Sequence, residues 1–194
     1  MSTANGTLLA FAEARRFVGD GCVPAPPTKS TGAGSALAMK RSDDAGRSWY
    51  PPGGQIVVPE GYDESAVFDA ATGAVTLLFP KQPVPGSDVA NATNARRAST
   101  DLGRSWDAVA AVDLGAFNGS LVGPGRGLQL RGGPHAGRLL FAVHHGEGDL
   151  KTAAWKRSNT IVISDTGGRH WRRGATLPGM DEAQLAKLAR LSFC

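Results

Sequence analysis

The sequence predicts an all-β chain built from repeated hairpins, and three observations carry that prediction. Glycine and proline are abundant, with 26 Gly and 12 Pro in 194 residues, as suits many turns between short strands. An eight-residue frame, Ser-x-Asp-x-Gly-x-x-Trp, occurs at 42–49 (SDDAGRSW) and 99–106 (STDLGRSW), and with Thr166 in place of the aspartate at 164–171 (SDTGGRHW). A short apolar or alternating run precedes each copy, at 37–41, 96–98 and 161–163.

Each copy of the frame has a mechanical reading. A strand ends at the serine, whose hydroxyl closes a local turn. The aspartate accepts backbone N–H groups inside the turn, and the glycine supplies a positive φ. The tryptophan opens the return strand and is expected to bury its ring against a neighbouring sheet. The copies start 57 and 65 residues apart, longer than the roughly 40–50 residues of common repeated β units, which leaves room for long loops.

The remaining elements follow in chain order. Residues 7–13 (TLLAFAE) read as a buried strand, and 21–35 as a loop rich in Pro, Gly, Ser and Thr. Residues 74–79 follow a turn at Thr72–Gly73, and 138–145 (RLLFAVHH) follow a Gly- and Pro-rich turn. At 181–191, Leu185, Leu188 and Leu191 recur at helical spacing, yet periodicity alone leaves helix and strand both open over eleven residues.

Composition excludes several classes of function. Apolar residues make up 41% and charged residues 20%, an ordinary globular balance, and no run reaches the roughly 18 apolar residues of a membrane helix. The first residues carry no basic segment followed by an apolar one, so no signal peptide is expected. Cys22 and Cys194 do not form a disulfide framework and lack neighbouring metal ligands. The net charge of +4 comes from scattered Arg and Lys, many beside Asp or Glu, so no nucleic-acid footprint is expected. Gly123, Gly125 and Gly127 follow a G-x-G-x-G spacing with no helix after them, which is not a dinucleotide fingerprint. His144 and His145, near Glu147 and Asp149, are adjacent on a strand and point to opposite faces, so no metal site is expected there. No cofactor is called for. Asn5, Asn91 and Asn118 head three glycosylation sequons, a lean toward a secretory or lysosomal parent.

The three frames resemble the Asp-box, or BNR repeat, of the sialidase (neuraminidase) family. Further likeness, to the lysosomal and bacterial exo-sialidase branch, lies at 7–16 (TLLAFAEARR), at 123–130 (GPGRGLQL) with 137–145, and at 181–188 (DEAQLAKL). The resemblance implies a six-bladed β-propeller with Asp-boxes on the hairpin between the outer two strands of a blade. Residues 1–194 then form a partial domain of about three to four blades. It also implies that Arg15 lies at the substrate pocket, that Asp20 is the general acid and base, and that Glu182 is the base that activates a tyrosine. Read from local pattern alone, Asp20 is a turn residue in Val-Gly-Asp-Gly and Glu182 a surface glutamate. The substrates implied are sialylated glycans: glycoproteins, gangliosides and oligosaccharides.

The chemistry accounts for these residue types. Sialic acid carries a carboxylate at its anomeric carbon, which repels a carboxylate nucleophile. A neutral tyrosine paired with a glutamate base avoids that repulsion, while a separate acid protonates the leaving oxygen. Three arginines grip the substrate carboxylate in the family. The family's Arg-Ile-Pro stretch and the contexts of its later arginines and of its tyrosine are not matched in 1–194, and Tyr50 and Tyr62 do not match the nucleophile. The expectation is therefore a sialidase-type domain that is inactive as this polypeptide alone. The other reading is a non-catalytic Asp-box module that binds glycan or protein.

Overall fold

The computed structural model describes residues 1–3, 6–15, 35–59, 61–81, 93–115, 118–123, 125–147, 156–179 and 182–186. These contain thirteen β-strands and no helix. Most of the 21–35 loop lies outside them, as do Asp20, Cys22 and Cys194.

The strands form three sheets, and neighbours along the chain pair antiparallel. Sheet 1 joins β1 (Leu8–Arg15), β2 (Ser35–Ser42) and β3 (Tyr50–Val58). Sheet 2 joins β4 (Ser65–Asp69), β5 (Ala74–Lys81), β6 (Thr93–Ser99) and β7 (Ala110–Val112). Sheet 3 joins β10 (Leu128–Gln129), β11 (Leu139–Glu147), β12 (Lys156–Ser164) and β13 (Arg172–Pro178), with β8 (Asn118–Leu121) also paired to β11. The two-residue β9 (Gly125–Arg126) crosses from the sheet 3 segment and pairs parallel with β4, Ser65 opposite Gly125.

The sheets stack face to face, with sheet 2 in the middle. Val75, Leu77 and Phe79 of β5 join Leu9, Leu37 and Met39 of sheet 1 in one core cluster. Leu78 of β5 and Val67 of β4 join Leu139, Phe141, Val143 and Val162 of sheet 3 in the other. Burial on both faces explains why 74–79 reads as a near-continuous apolar run rather than an alternation.

The three frames fall at the same place in each sheet, between its last two strands, and share the serine-to-glycine bond of the predicted turn. Ser42 Oγ accepts the Gly46 N–H at 2.8 Å, Ser99 Oγ that of Gly103 at 2.7 Å, and Ser164 Oγ that of Gly168 at 2.9 Å. Asp44 accepts the Ser48 N–H at 2.9 Å and its hydroxyl at 2.6 Å; Asp101 does the same with Ser105 at 2.8 and 2.6 Å. The frame glycines take φ of +89°, +85° and +84°, as predicted. Hydrogen bonds from Ser48 and Ser105 hold the Asp44 and Asp101 carboxyls down at about 2.

Thr166 keeps one of these bonds, accepting the His170 N–H at 2.9 Å, and has no carboxylate to offer. Replacing Thr166 with Asp is expected to raise stability by about 0.5–1 kcal/mol at pH 7. Because a carboxyl held low contributes only while ionised, the gain should vanish as pH falls from about 4 toward 2. Urea unfolding at pH 7 and pH 2.5 checks both.

The tryptophans diverge from the prediction in one copy. Trp106 meets Phe11 of sheet 1 edge-on, with centroids 5.9 Å apart, and Trp171 meets Phe141 at 5.3 Å. Trp49 remains 37% exposed, because the described residues place no sheet in front of sheet 1.

Polar clamps lock sheet to sheet. Arg41, almost fully buried, donates from Nη2 to Asp43 Oδ1 at 2.6 Å and from Nε to the Tyr50 hydroxyl at 2.8 Å. Its Nη1 reaches the Leu102 carbonyl in the turn of the neighbouring sheet. Between sheets 2 and 3, Gln129 Nε2 donates to Asp69 Oδ1 at 2.5 Å, and Gln129 Oε1 accepts the Ala70 N–H at 2.8 Å.

Candidate functional site at the end opposite the turns

Register separates the two ends of the sheets. The turn serines sit opposite Leu8, Val75 and Leu139, so all three frames lie at one end. Arg15, the last residue of β1 and partner of Ser35, lies at the other. There too are the start of β4 at Ser65 and the start of β9 at Gly125.

Glycines let three chain segments converge at this end. A Cβ on Gly123 would stand 2.6 Å from the Asp63 carbonyl carbon and oxygen and 2.8 Å from the Glu64 carbonyl oxygen. One on Gly125 would lie 3.7 Å from the Ala183 carbonyl oxygen and 3.9 Å from Gln184 Cγ. Ser65 Oγ donates to the Val122 carbonyl at 3.1 Å, tying 122–126 to the entry of β4. The stretch after Glu182 therefore passes directly beside Gly125.

Next to this junction is a cavity of about 350 Å³. Met1, Leu9, Ala10, Phe11 and Ala66 line it with Gly125, and Glu64, Arg126 and the Met1 ammonium supply its charged groups. On β1 it reaches toward the turn end, where Leu8 pairs with Ser42. Burial pushes the Glu64 carboxyl up, and the nearby carboxylates of Glu13 and Asp63 push it further. Tyr62 precedes this pair; burial, then Asp63 and Glu13, raise its phenol to about 12. The Tyr62 hydroxyl is buried with no hydrogen-bond partner among the described residues. Glu13 acts on both groups, which places the end of β1 against 62–64.

Tyr62 gives a test of this environment. Its folded pKa lies above the ordinary value of 10, so the unfolded chain ionises first as pH rises. Stability is then full below pH 10 and falls by up to about 3 kcal/mol by pH 12. Tyr62→Phe should abolish that part of the decline and, by removing an unpaired buried hydroxyl, leave stability at pH 7 unchanged or higher. Denaturant titrations at pH 7, 10 and 11.5 decide it.

The residues singled out from sequence fare differently. Arg15 is at the site end, though its side chain lies outside the described residues, as does all of Asp20. Glu182 is exposed and sits at a bend. Over 182–186 the chain is neither helix nor strand, so the leucine spacing reflects no helix there; residues 187–191 lie outside the description. His145 is buried and engaged through Nε2 with the Thr160 hydroxyl at 2.9 Å. Tyr50 is at the turn end, its hydroxyl bound to Asp43 and Arg41.

Sequence reasoning passed over Glu64, Arg126 and the environment of Tyr62. Arg126 was visible as the one charged residue inside a glycine-rich segment. Glu64 was visible as an acid immediately before a buried strand.

Stacked antiparallel sheets, each carrying the same Ser-x-Asp/Thr-x-Gly-x-x-Trp turn on its last hairpin, define an Asp-box β-propeller architecture. Over 179 residues the chain is 32% identical to a sialidase of Micromonospora viridifaciens, an alignment covering 80% of this chain and 26% of that protein. No family model matches it. Its fold is similar to the leech intramolecular trans-sialidase solved with 2,7-anhydro-Neu5Ac (TM-score 0.67, 15% identity, 89% of this chain and 42% of that one). A Dyadobacter fermentans protein of unknown function is equally similar (TM-score 0.67, 18% identity, 96% and 57%). The chain belongs to the sialidase family. It spans about a quarter of the length of the curated relative it matches.

Proposed function

We propose that these 194 residues form part of an exo-α-sialidase-type, retaining glycoside hydrolase domain, each sheet being one blade of a six-bladed ring. In this reading the end opposite the Asp-boxes holds a terminal sialic acid. The observation that carries it is the packing of the Glu182 segment against Gly125, which lines the Glu64–Arg126 cavity.

The residues divide the work as follows. Arg126, with Arg15, attracts the substrate carboxylate. Glu64, whose carboxyl burial pushes up, holds its proton to higher pH than an exposed carboxyl, and in that form it donates a hydrogen bond where the ionised group would repel the substrate carboxylate. Asp20 protonates the leaving oxygen and Glu182 stands as the base for a tyrosine. The tyrosine is neither Tyr50, which is tied to Arg41 and Asp43 at the wrong end, nor Tyr62, whose buried phenol is made less acidic. This polypeptide accordingly binds sialosides without hydrolysing them, and needs no cofactor.

Saturation-transfer NMR with sialyllactose tests the binding half. Transfer to the sialic acid protons is expected, reduced at least tenfold in affinity by Arg126→Ala. Affinity should also decline as pH rises through the Glu64 titration, a decline that Glu64→Gln removes. Equal transfer to wild type and Arg126→Ala would reject the site.

A further inference from the structure

We propose that the turn end of sheet 3 is a docking surface for a sulfated polysaccharide, held by Arg131, Arg138, Arg169 and Arg172. The inference goes beyond the enzymatic reading and does not rest on it.

In sequence these cations are scattered among neutral residues, and the fold gathers them. The loop between β10 and β11 closes on itself. The Leu130 N–H donates to the Arg138 carbonyl at 2.9 Å, and the Gly137 N–H to the Leu130 carbonyl at 2.7 Å. Arg131 and His135 are exposed within that loop. Asp165, in the third frame, ties the loop to the frame and to β13: it accepts Arg138 Nε at 2.6 Å and Arg172 Nη2 at 3.3 Å. Arg169 and His170 are exposed in the same frame. Residues 129–139 and 164–172 therefore carry four arginines against one carboxylate, in a chain whose net charge is +4. Asp69, whose Oδ2 lies 3.5 Å from the Cβ position of Gly167, is buried and committed to Gln129, Ala71 and Thr72.

The third frame differs from the other two in the direction that favours an anion. Thr166 stands where the others have Asp44 and Asp101, and His170 where they have Ser48 and Ser105. The first difference removes a carboxylate, and the second puts an imidazole in place of a hydroxyl. Arg104 of the second frame has Asp43 at 3.9 Å, whereas Arg169 donates to a carbonyl, that of Thr166, at 3.2 Å. Arg47 and Arg104, at the equivalent place in sheets 1 and 2, are exposed although a further sheet follows each. Residues 70–72, the corresponding loop of sheet 2, are exposed as well. The exposure of Arg131 and Arg169 is thus a property of the turns themselves.

The side chains on this surface select the kind of polyanion. All four cations are arginines, whose planar fork pairs with an oxyanion through two parallel hydrogen bonds. Arg138 and Arg172 share Asp165, and Arg131 and Arg169 pair with no carboxylate among the described residues, so charge is left over for a partner. A membrane-binding surface inserts apolar side chains. Among the described residues the exposed large ones, Trp49, Tyr50, Ile56, Val109 and Leu177, all lie elsewhere. A single-stranded nucleic acid stacks its bases on open rings. Here Trp171 is packed on Phe141 and donates Nε1 to the Gly168 carbonyl at 3.0 Å. A sulfated polysaccharide needs neither feature, and its closely spaced sulfates match four arginines in two adjoining turns.

Titration calorimetry of the purified 194-residue chain with a heparin octasaccharide at low salt tests this. Binding is expected, and it should weaken steeply as salt rises. The desulfated octasaccharide, which keeps its carboxylates, should not bind. Arg169→Ser should lower affinity about fivefold or more, and the double variant with Arg131→Ser about twentyfold or more. Arg47→Ser, the same loss of charge in the first frame, should change affinity less than about twofold. Thr166→Asp separates recognition from folding: the turn gains stability while the octasaccharide binds about threefold more weakly or worse. No binding, equal losses from Arg47→Ser and Arg169→Ser, or binding that survives desulfation would overturn the proposal. So would tighter binding to single-stranded DNA or to phosphatidylserine vesicles. Sialyllactose binding on the same samples is a separate result, and its absence would count against the sialidase reading alone.

Discussion

Arg41→Ala is expected to destabilise the chain by about 3 kcal/mol or more. The guanidinium is 4% exposed and holds five acceptors in two sheets: both Asp43 carboxylate oxygens, the Tyr50 hydroxyl, and the Asp101 and Leu102 carbonyls. Truncation leaves two carbonyls of the second Asp-box unpaired in the sheet 1–sheet 2 seam and opens a void beside them. Asp43 is 40% exposed and regains water, which keeps the loss toward the lower end of the range for a broken buried pair. The variant also changes the acid limb. Arg41, then Tyr50 and Thr7, hold the Asp43 carboxyl far below 3.8, so the wild type loses that contribution as pH falls below about 4. Arg41→Ala should start less stable and lose less over the same interval. Urea midpoints at pH 7 and pH 3 report both effects.

Gly123→Ala is expected to cost about 3 kcal/mol or more and to disturb the site as well. Its Cβ would fall 2.6 Å from the Asp63 carbonyl carbon and oxygen. Both colliding groups are backbone, so no side-chain rotation relieves the overlap. The 122–126 segment has to move off β4, taking Arg126 away from Glu64 and Gly125 away from Ala183. Sialyllactose affinity should fall with stability. Gly132→Ala, with nothing within 4 Å of its Cβ position, is the control for a glycine change as such.

The turns were legible because their chemistry is local. Ser42, Asp44 and Gly46 satisfy one another within five residues, so the frame specifies its own geometry wherever it occurs. The same holds for β5 and β11, whose apolar runs announce buried strands, whereas 7–13 is buried on one face only, with Thr7 and Leu9 inward and Ala10 and Ala12 exposed. What the frame does not specify is its surroundings. Trp49, Trp106 and Trp171 share one sequence position, yet a facing sheet decides which ring is covered. The Gln129–Asp69 and Arg41–Leu102 clamps span about 60 residues and exist only once the sheets stack. Gln129 stood within a segment whose glycines drew attention to the loop, while its own contribution is to bind two sheets together. The raised carboxyl of Glu64 was not legible, because it comes from burial and from Glu13, which lies in a different sheet.

The central claim is that these residues form a sialoside site that lacks its nucleophile. A fluorogenic sialoside incubated with the purified 194-residue chain tests it most directly. Release of the fluorophore should match the rate without protein, even at concentrations where sialyllactose binding is saturated. Turnover above that rate, abolished by Asp20→Ala, would contradict the account by showing that the polypeptide carries complete hydrolytic machinery.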